Sequence, residues 1–167
     1  MKRKRERKNM KNVRRAEEKD IPDILRLLSQ VLGIHAALRP DLFIPGTTKY
    51  TEDELKAILA EENTPVYVAV DEEDAVLGYA FCIMERPVPS NNMHAFSTLY
   101  IDDLCVDERI RGQHVGEMLF QHVKEEARRF QCHSITLHVW EGNDSARLFY
   151  ERMQMTPRKT MMELSLS

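Results

Sequence analysis

Residues 99–130 read LYIDDLCVDERIRGQHVGEMLFQHVKEEARRF, and this stretch decides the fold. Its beginning, 99–106, has the length and apolar content of a strand, and residues 115–130 carry apolar side chains at helical spacing. Between them lies the hexapeptide RGQHVG, residues 111–116. A glycine-bearing turn from a strand into a helix leaves main-chain N–H groups free at the positive end of the helix dipole. Spacing alone leaves two interpretations open, a phosphate site or a tight turn with a helix cap.

The rest of the chain adds elements on both sides of this stretch. Further helices are predicted after Asp20, which is expected to cap, after a capping box formed by Thr51 and Glu54, and over residues 143–153. Strands are predicted at 12–17, 66–70, 75–84, 94–106, 134–140 and, at the C-terminus, 159–166, which reads KTMMELSL. The strand, helix and strand within 98–140 predict a parallel pair in an otherwise antiparallel sheet, and therefore an α/β fold. Only Glu126 interrupts the apolar face of the helix over 115–130.

Length and composition narrow the class of protein. The 167 residues fit one domain, and 43% hydrophobic with 31% charged residues is typical of a soluble globular chain. No apolar run reaches the roughly 20 residues of a membrane span and no secretory signal begins the chain, so a cytoplasmic protein is expected. The cysteines Cys82, Cys105 and Cys132 are far apart and no HExxH motif occurs, so we expect neither disulfides nor a metal site.

The charge is unevenly distributed along the chain. Residues 2–8, KRKRERK, carry a net charge of +5, which leaves −8 on the rest of a chain whose total is −3. We interpret residues 1–9 as a basic disordered tail or extension and residues 10–167 as the folded domain. Nucleic-acid binding by the tail is the less favoured alternative. The acidic body favours a cationic substrate such as an amine.

Residues 99–130, with LHVWEGNDSARLFYERM at 137–153, resemble the core of the GNAT family of acetyl-CoA-dependent N-acetyltransferases. The resemblance covers the element order across 12–166. It implies a mixed, mostly antiparallel sheet with a central parallel pair and flanking helices. RGQHVG fits the family's pyrophosphate loop, R/Q-x-x-G-x-G/A, except that His114 stands where the middle glycine is usual. Neither a GxxxxGKS/T loop nor a dinucleotide GxGxxG unit occurs, so ATP and NAD are disfavoured.

The resemblance implies acetyl-CoA as cosubstrate, without a metal, and it implies which residues bind it. The strand before the loop is expected to offer its backbone to the pantetheine arm, and the loop to bind the diphosphate. The residues implied are Leu104, Cys105 and Val106 on the strand and Arg111, Gly112, Gln113, His114, Val115 and Gly116 in the loop. Asn143 is implied near the cosubstrate and Tyr150 near its sulfur. The family's Gly-Phe after this helix is replaced by Gln154 and Met155, so a different packing is expected there.

Acetyl transfer to an amine needs a base, because a protonated nitrogen has no lone pair to attack the thioester. By resemblance the base is Asp103, acting directly or through water; the alternative is a carboxylate that only bonds neighbouring amides. Strand alternation places Asp102 on the opposite face, unless a bulge exchanges the two. Tyr150 is the implied acid for the departing thiolate, and its alternative is core packing beside Phe149. Cys105 is expected to be a packed thiol.

The expected function is transfer of an acetyl group from acetyl-CoA to a primary amine of a small molecule, directly and within a ternary complex. Two alternatives stay open: a peptide or protein acetyltransferase acting on N-termini or lysines, and a non-catalytic acyl-CoA-binding regulatory module. Residues 36–50 and 85–97, with His138 and Trp140, are expected to shape the acceptor side. We expect a homodimer and no membrane partner.

Overall fold

The computed structural model describes residues 10–166, so the predicted basic tail lies outside the described residues. Five strands and four helices make up the fold within that range. In chain order they are β1 Met10–Arg15, α1 Ile21–Leu38, α2 Glu52–Ala60, β2 Val66–Asp71, β3 Val76–Glu85, β4 Thr98–Val106, α3 Val115–Arg129, β5 Ser134–Leu137 and α4 Asp144–Arg152. A 3-10 turn, Glu108–Ile110, precedes α3.

The five strands form one sheet in the order β1-β2-β3-β4-β5. Pairs from β1 to β4 are antiparallel, whereas β4 and β5 run parallel and are connected through α3. The predicted α/β fold is confirmed, including its parallel pair. In that pair the register runs only from Thr98 opposite Ser134 to Ile101 opposite Leu137.

Helices cover both faces of the sheet. On one face α1 and α2 bury Leu27 and Leu55 against the sheet residues Tyr79 and Phe81. On the other face α3 buries Leu119 and its neighbours, with α4 partly buried beside it. Glu18–Leu38, with a mean hydropathy of 1.3, is long and apolar enough to cross a membrane. That is weak evidence, because the Leu27 side chain of the same helix is fully buried in the core.

Two local predictions of helix starts have different outcomes. The capping box of α2 is confirmed, since Thr51 Oγ1 accepts from the Glu54 N–H at 3.2 Å and Glu54 accepts from the Thr51 N–H at 2.7 Å. Asp20 precedes α1 but its carboxylate does not cap that helix. It accepts instead from the Arg14 guanidinium at 2.7 and 2.9 Å and from the Glu17 N–H at 2.8 Å, which precedes the helix.

The predicted strand over 159–166 is wrong for the single chain. Residues 155–166 belong to no helix or strand, and four apolar side chains there are 82–95% exposed: Met161, Met162, Leu164 and Leu166. A strand exists only where a neighbouring backbone completes its ladder, and no such ladder includes residues 155–166 in the described part of the chain. The strands predicted over 94–106 and 134–140 are shorter, Thr98–Val106 and Ser134–Leu137.

Candidate active site

β4 continues beyond the point where β5 ends. β5 stops at Leu137, opposite Ile101, while β4 runs on to Val106, still paired with β3 on its other side. Residues 102–106 therefore have no strand on the β5 side among the described residues. This opening leaves main-chain groups of Leu104, Cys105 and Val106 facing a cleft, where an extended group can add to the sheet edge.

A β-bulge lies at the start of this opening. Phe81 pairs with Asp103 and Cys82 with Ile101, so Asp102 is the extra residue in β4. The expectation that strand alternation separates the two aspartates is wrong, because the bulge interrupts the alternation. Both carboxylates bond to groups on the α1 and α2 side of the sheet, Asp102 to Lys49 and Asp103 to Tyr79.

Asp103 lies partly buried, with one carboxylate oxygen 2.8 Å from the Tyr79 hydroxyl, which donates to it. Burial raises the pKa of Asp103 to about 6, although the hydrogen bond from Tyr79 and the charge of Lys49 oppose that rise. Tyr79 is itself fully buried, and burial raises the pKa of its phenol, so it stays a donor. A carboxyl group that ionises near pH 6 has the proton affinity of a general base at neutral pH.

Tyr150, on α4, packs against Phe120 and Phe149 at ring-centroid distances of 6.4 and 5.1 Å. Burial, followed by the negative charge of Asp103, raises the pKa of Tyr150, which keeps the phenol protonated. Among residues 10–166 no buried side-chain nitrogen or oxygen lacks a partner. Because no hydrogen bond of the Tyr150 hydroxyl is found there, that oxygen is accessible to solvent.

Lys49 covers the second carboxylate. Its ammonium group lies 2.7 Å from an Asp102 oxygen and 5.2 Å from the ring centroid of Tyr50, which in turn stacks on Phe81. Burial lowers the pKa of Lys49, but the hydrogen bond and charge of Asp102 outweigh it, and the net direction is upward. The ion pair brings Lys49, from the segment 36–50 that we expect to shape the acceptor side, to the open end of β4.

The loop before α3 has two residues with left-handed backbone. Gly112 has φ = 81° and His114, at the N-cap of α3, has φ = 63°. The resemblance places a glycine at position 114, and the backbone explains why, since a side chain at positive φ is strained. His114 adopts that conformation nonetheless, with its Nδ1 3.0 Å from a Glu117 oxygen. The main-chain N–H groups of the first turn of α3 are therefore available to an anion.

Asp107 fixes the position of the loop before α3. Its buried carboxylate lies 2.8 Å from the Arg26 guanidinium on α1 and accepts from the Arg109 N–H at 3.0 Å. Hydrogen bonds from Arg109, together with the Arg26 ion pair, hold the pKa of Asp107 well below its usual range. Arg111 is exposed and has no ion-pair partner among residues 10–166, which leaves its guanidinium free for a phosphate oxygen. Burial raises the pKa of Cys105, and the positive charge of Arg111 opposes that rise.

The last residues of the motif hold α3 against α4. A Cβ at Gly116 would lie 3.3 Å from two ring atoms of Phe149, so glycine permits the close approach of the two helices. Val115 is buried and Gln113 partly buried. Asn143 caps α4, since its Oδ1 accepts from the Ala146 N–H at 3.3 Å. Its side-chain oxygen therefore positions α4, and Tyr150 with it, rather than being free for a ligand.

Cys105 is a packed thiol. Its Sγ lies 3.8 Å from the main-chain oxygens of Leu27 and Val106, and burial raises its pKa to about 12. A thiol with that pKa carries no thiolate near neutral pH, and this agrees with the expectation that Cys105 is not a nucleophile.

Aromatic side chains cluster around the segment that follows β5 in the chain. Phe43 lies 5.2 Å from His35 and 5.5 Å from Trp140, measured between ring centroids, and the Arg39 guanidinium lies 5.9 Å from Trp140. The Tyr100 hydroxyl and His138 Nδ1 are 2.9 Å apart. Residues from 36–50 thus contact Trp140 after β5, whereas His138 contacts Tyr100 on β4.

The sequence motifs missed two of these residues. Tyr79 had a detectable signal, because a tyrosine inside an apolar strand must find a partner for its hydroxyl. Lys49 had none, since a loop lysine gives no indication of its partner. Among residues 10–166, no group of three or more His, Cys, Asp or Glu side chains is placed to hold a metal ion.

Comparison with known proteins gives consistent matches. The model of the acetyltransferase (GNAT) family matches residues 31–155. A mutant of the BH1408 protein from Bacillus halodurans superposes with a TM-score of 0.90 at 30% identity, covering 94% of this chain and 100% of that one. An aminoglycoside acetyltransferase from an uncultured soil metagenomic sample, in complex with trehalose, has a TM-score of 0.72 at 18% identity, covering 95% of both chains.

The likeness to a third solved structure shows only that the fold is shared. An acetyltransferase from Trypanosoma brucei has a TM-score of 0.68 at 19% identity, covering 95% of this chain and 100% of that one. No curated protein sequence matches the chain.

Proposed function

Because the chain belongs to the GNAT acetyltransferase family, we propose that it transfers an acetyl group from acetyl-CoA to a primary amine of a small molecule. Transfer is direct, within a ternary complex, and residues 10–167 form the catalytic domain. The observation that supports the proposal is the opening in β4 beyond the end of β5, where Asp103 lies ahead of the loop that starts α3.

The loop and the strand edge would hold acetyl-CoA, which supplies the thioester. The N–H groups between Gly112 and Gly116 bind the diphosphate, and Arg111 adds a charge-assisted hydrogen bond. The backbone from Leu104 to Val106 pairs with the pantetheine arm along the open edge. Open space around Gly112, where a Cβ would meet no atom within 4 Å, supports this fit.

Asp103 acts as the base in this proposal. The acceptor arrives as an ammonium ion, and Asp103 takes its proton directly or through water, so that the nitrogen lone pair attacks the thioester carbonyl. The bond from carbon to nitrogen forms and the bond from carbon to sulfur breaks. Tyr79 keeps the Asp103 carboxylate oriented, since one of its oxygens accepts from the buried phenol.

Tyr150 donates a proton to the departing thiolate. Its raised pKa keeps it protonated at neutral pH, and its hydroxyl is not consumed by a hydrogen bond to the described residues. The second amine proton, lost as the amide forms, returns to the Tyr150 oxygen through solvent, and Asp103 releases the first proton to solvent. Cys105 takes part in neither step, and its thiol stays protonated.

The acidic pair favours a cationic acceptor. Asp102 and Asp103 lie next to each other on one face, and one cation, Lys49, already covers Asp102. A small polyamine or aminoglycoside-like amine would meet the same charges. An aminoglycoside acetyltransferase shares the fold at 18% identity, which supports the reaction type but not the acceptor. A peptide N-terminus or lysine is the second candidate acceptor.

The two departures from the family pattern, His114 and Gln154, do not favour a non-catalytic module. His114 at φ = 63° and Gln154 at φ = 68° adopt the left-handed backbone that glycine would supply at those positions. Met155, next to Gln154, packs against the core. Both positions therefore keep the backbone conformation that a working site needs, although a side chain in that conformation is strained.

The proposal is tested by CoA release over a panel of amines, small and peptidic, with the native protein, Asp103→Asn and Tyr150→Phe. We expect turnover of at least one small primary amine and a loss of roughly 10²–10⁴-fold in kcat for Asp103→Asn. Thermal stabilisation by CoA without turnover of any acceptor would instead support the module. A homodimer in the cytoplasm completes the proposal.

A further inference from the structure

The side chain of Lys49 holds a primary ammonium group at the beginning of the opening in β4. Its nitrogen lies 2.7 Å from an Asp102 oxygen. β5 ends at Leu137, opposite Ile101, so Asp102 is the first residue of β4 beyond the parallel register. The ion pair therefore keeps a primary amine at the point where the edge of β4 becomes free to pair with a ligand.

The proposed base lies next to the carboxylate that holds this amine. Asp103 follows Asp102 directly, and the bulge lets both carboxylates bond to groups on the α1 and α2 side of the sheet. Phe81, opposite Asp103, stacks on Tyr50 at 5.9 Å, and the Tyr50 ring centroid lies 5.2 Å from the Lys49 ammonium. A carboxylate and an aromatic ring are the groups that a cationic acceptor would need, and here they surround a lysine of the same chain.

Lys49 is accessible and held by a weak interaction. It lies between α1 and α2, outside any helix or strand, and its side chain is 42% exposed. A partly exposed ion pair contributes little to stability, so the ammonium group can leave Asp102 at little cost. The flexible four-carbon stem of a lysine then lets the nitrogen move while the backbone stays in place.

We propose that Lys49 is itself an acetyl acceptor, modified by the active site of its own chain. This inference rests on the proposed function, because it uses the same base and the same acetyl-CoA. Asp103 takes one proton from the Lys49 ammonium, and the nitrogen lone pair attacks the thioester carbonyl. The bond from carbon to nitrogen forms, the bond from carbon to sulfur breaks, and Tyr150 donates a proton to the departing thiolate.

The products of this step are an acetylated Lys49 and CoA. The second amine proton returns to the Tyr150 oxygen through solvent, and Asp103 releases the first proton to solvent, so one proton is released in total. The acetylated side chain carries no charge, and Asp102 therefore loses its cation. Self-acetylation would thus increase the negative charge that a cationic acceptor meets at this end of β4.

The first test measures where acetyl groups appear when the native protein is incubated with acetyl-CoA and no amine. Peptide mass spectrometry follows each lysine over time. Lys56 is the matched control within the same chain, since its side chain is also 42% exposed and pairs with Glu52 at 3.0 Å, inside α2. We expect Lys49 to be acetylated roughly 10²-fold faster than Lys56, because only Lys49 has the base beside it. Equal rates at the two lysines would overturn the proposal.

The second test asks whether the step occurs within one chain. We expect the rate constant for Lys49 in the native protein to stay the same as the protein is diluted, and a rate constant that falls on dilution would show transfer between chains and contradict the proposal. Asp103→Asn should slow acetylation of Lys49 by roughly 10²–10⁴-fold and leave Lys56 unchanged. Circular dichroism checks the fold of this variant, and the dilution series stands without it.

A third measurement separates this inference from the proposed function. Lys49→Arg keeps the positive charge but has no amine to acetylate, so CoA release by this variant reports only on added amines. If it turns over added amines while Lys49 of the native protein is acetylated no faster than Lys56, the proposed function stands and self-acetylation is overturned. If Lys49 is acetylated faster than Lys56 but no added amine is turned over, self-acetylation stands and the small-molecule acceptor is overturned.

Discussion

Tyr79 and Asp103 are joined by a hydrogen bond of 2.8 Å from the phenol to a carboxylate oxygen, between neighbouring strands β3 and β4. The phenol is fully buried, so the carboxylate bonds to a group that cannot rotate into solvent. Burial raises the pKa of this carboxyl group to about 6 while the phenol opposes the rise. The ionisation of Asp103 is therefore set by named groups that can be changed one at a time.

The activity is expected to rise with pH through the ionisation of Asp103. Its folded pKa is about 6, and only the carboxylate accepts a proton, so kcat/KM should increase tenfold per pH unit below that value and this limb should level off above it. The acceptor amine adds a second limb at its own pKa. Across acceptors of different basicity, the upper limb should move and the lower one should stay. If the lower limb moved with the acceptor, the ionisation of Asp103 would not control kcat/KM.

Tyr79→Phe should move that lower limb to higher pH. Because the hydrogen bond lowers the pKa of Asp103, its loss should raise this pKa by about 1–2 pH units, given 1.5–3 kcal/mol for a hydrogen bond to a charged group. The pH dependence of kcat/KM measures the shift. Tyr67→Phe is the control, since that buried phenol bonds to Glu126 instead and should leave the limb in place. An unchanged limb in Tyr79→Phe would show that the hydrogen bond has no effect on the base.

Asp103→Asn should stabilise the fold at neutral pH while it abolishes the base. The folded pKa of Asp103, about 6, lies above its unfolded value, so the native state binds the proton more tightly and loses stability as pH rises from about 4 through 6. Asparagine is never charged and still accepts from Tyr79. We expect about 1–3 kcal/mol of gain in the free energy of unfolding at pH 8 and little at pH 4, by urea titration.

The matched comparison is Asp102→Asn, which removes the partner of Lys49 without relieving the burial of Asp103. It should show no gain that grows with pH. If Asp103→Asn were instead destabilised more at pH 8 than at pH 4, the carboxylate form would be the one that the fold favours.

His114→Gly should stabilise the turn before α3 and keep its binding function. The backbone there has φ = 63°, and glycine removes the strain of a side chain in that conformation, worth about 1 kcal/mol. The lost contact with Glu117 is exposed and contributes little. Thermal unfolding measures the gain, and calorimetry should find CoA affinity within a few-fold of native. Gly112→Ala, at φ = 81°, should be destabilised by a similar amount.

The motifs predicted the layout of the fold because each depends on local chemistry. A glycine turn between a strand and an amphipathic helix predicted β4, α3 and β5, and Thr51 with Glu54 predicted the start of α2. Glu126 interrupted the apolar pattern and was left unexplained by the sequence. In the structure it accepts a hydrogen bond from Tyr67 at 3.1 Å, a contact between residues 59 positions apart.

Contacts between residues far apart in the chain could not be predicted, because a local motif carries no information about them. The bulge at Asp102 depends on the register of β3 against β4, and Lys49 reaches Asp102 across 53 positions of the chain. Alternation along one strand cannot show a shift that its neighbour imposes. The C-terminal segment is a similar case, because its apolar pattern predicted a strand, yet the sheet formed by residues 10–166 does not include it.

The central claim is that main-chain N–H groups from Gly112 to Gly116 bind the diphosphate of acetyl-CoA. An NMR titration of ¹⁵N-labelled protein with CoA, and separately with pantetheine, which lacks the diphosphate, tests it directly. We expect large amide shifts at Gly112, His114 and Gly116 with CoA that pantetheine does not reproduce, while Cys105 and Val106 respond to both. If CoA binds while the amides of 112–116 stay unshifted, the diphosphate lies elsewhere and the account is contradicted.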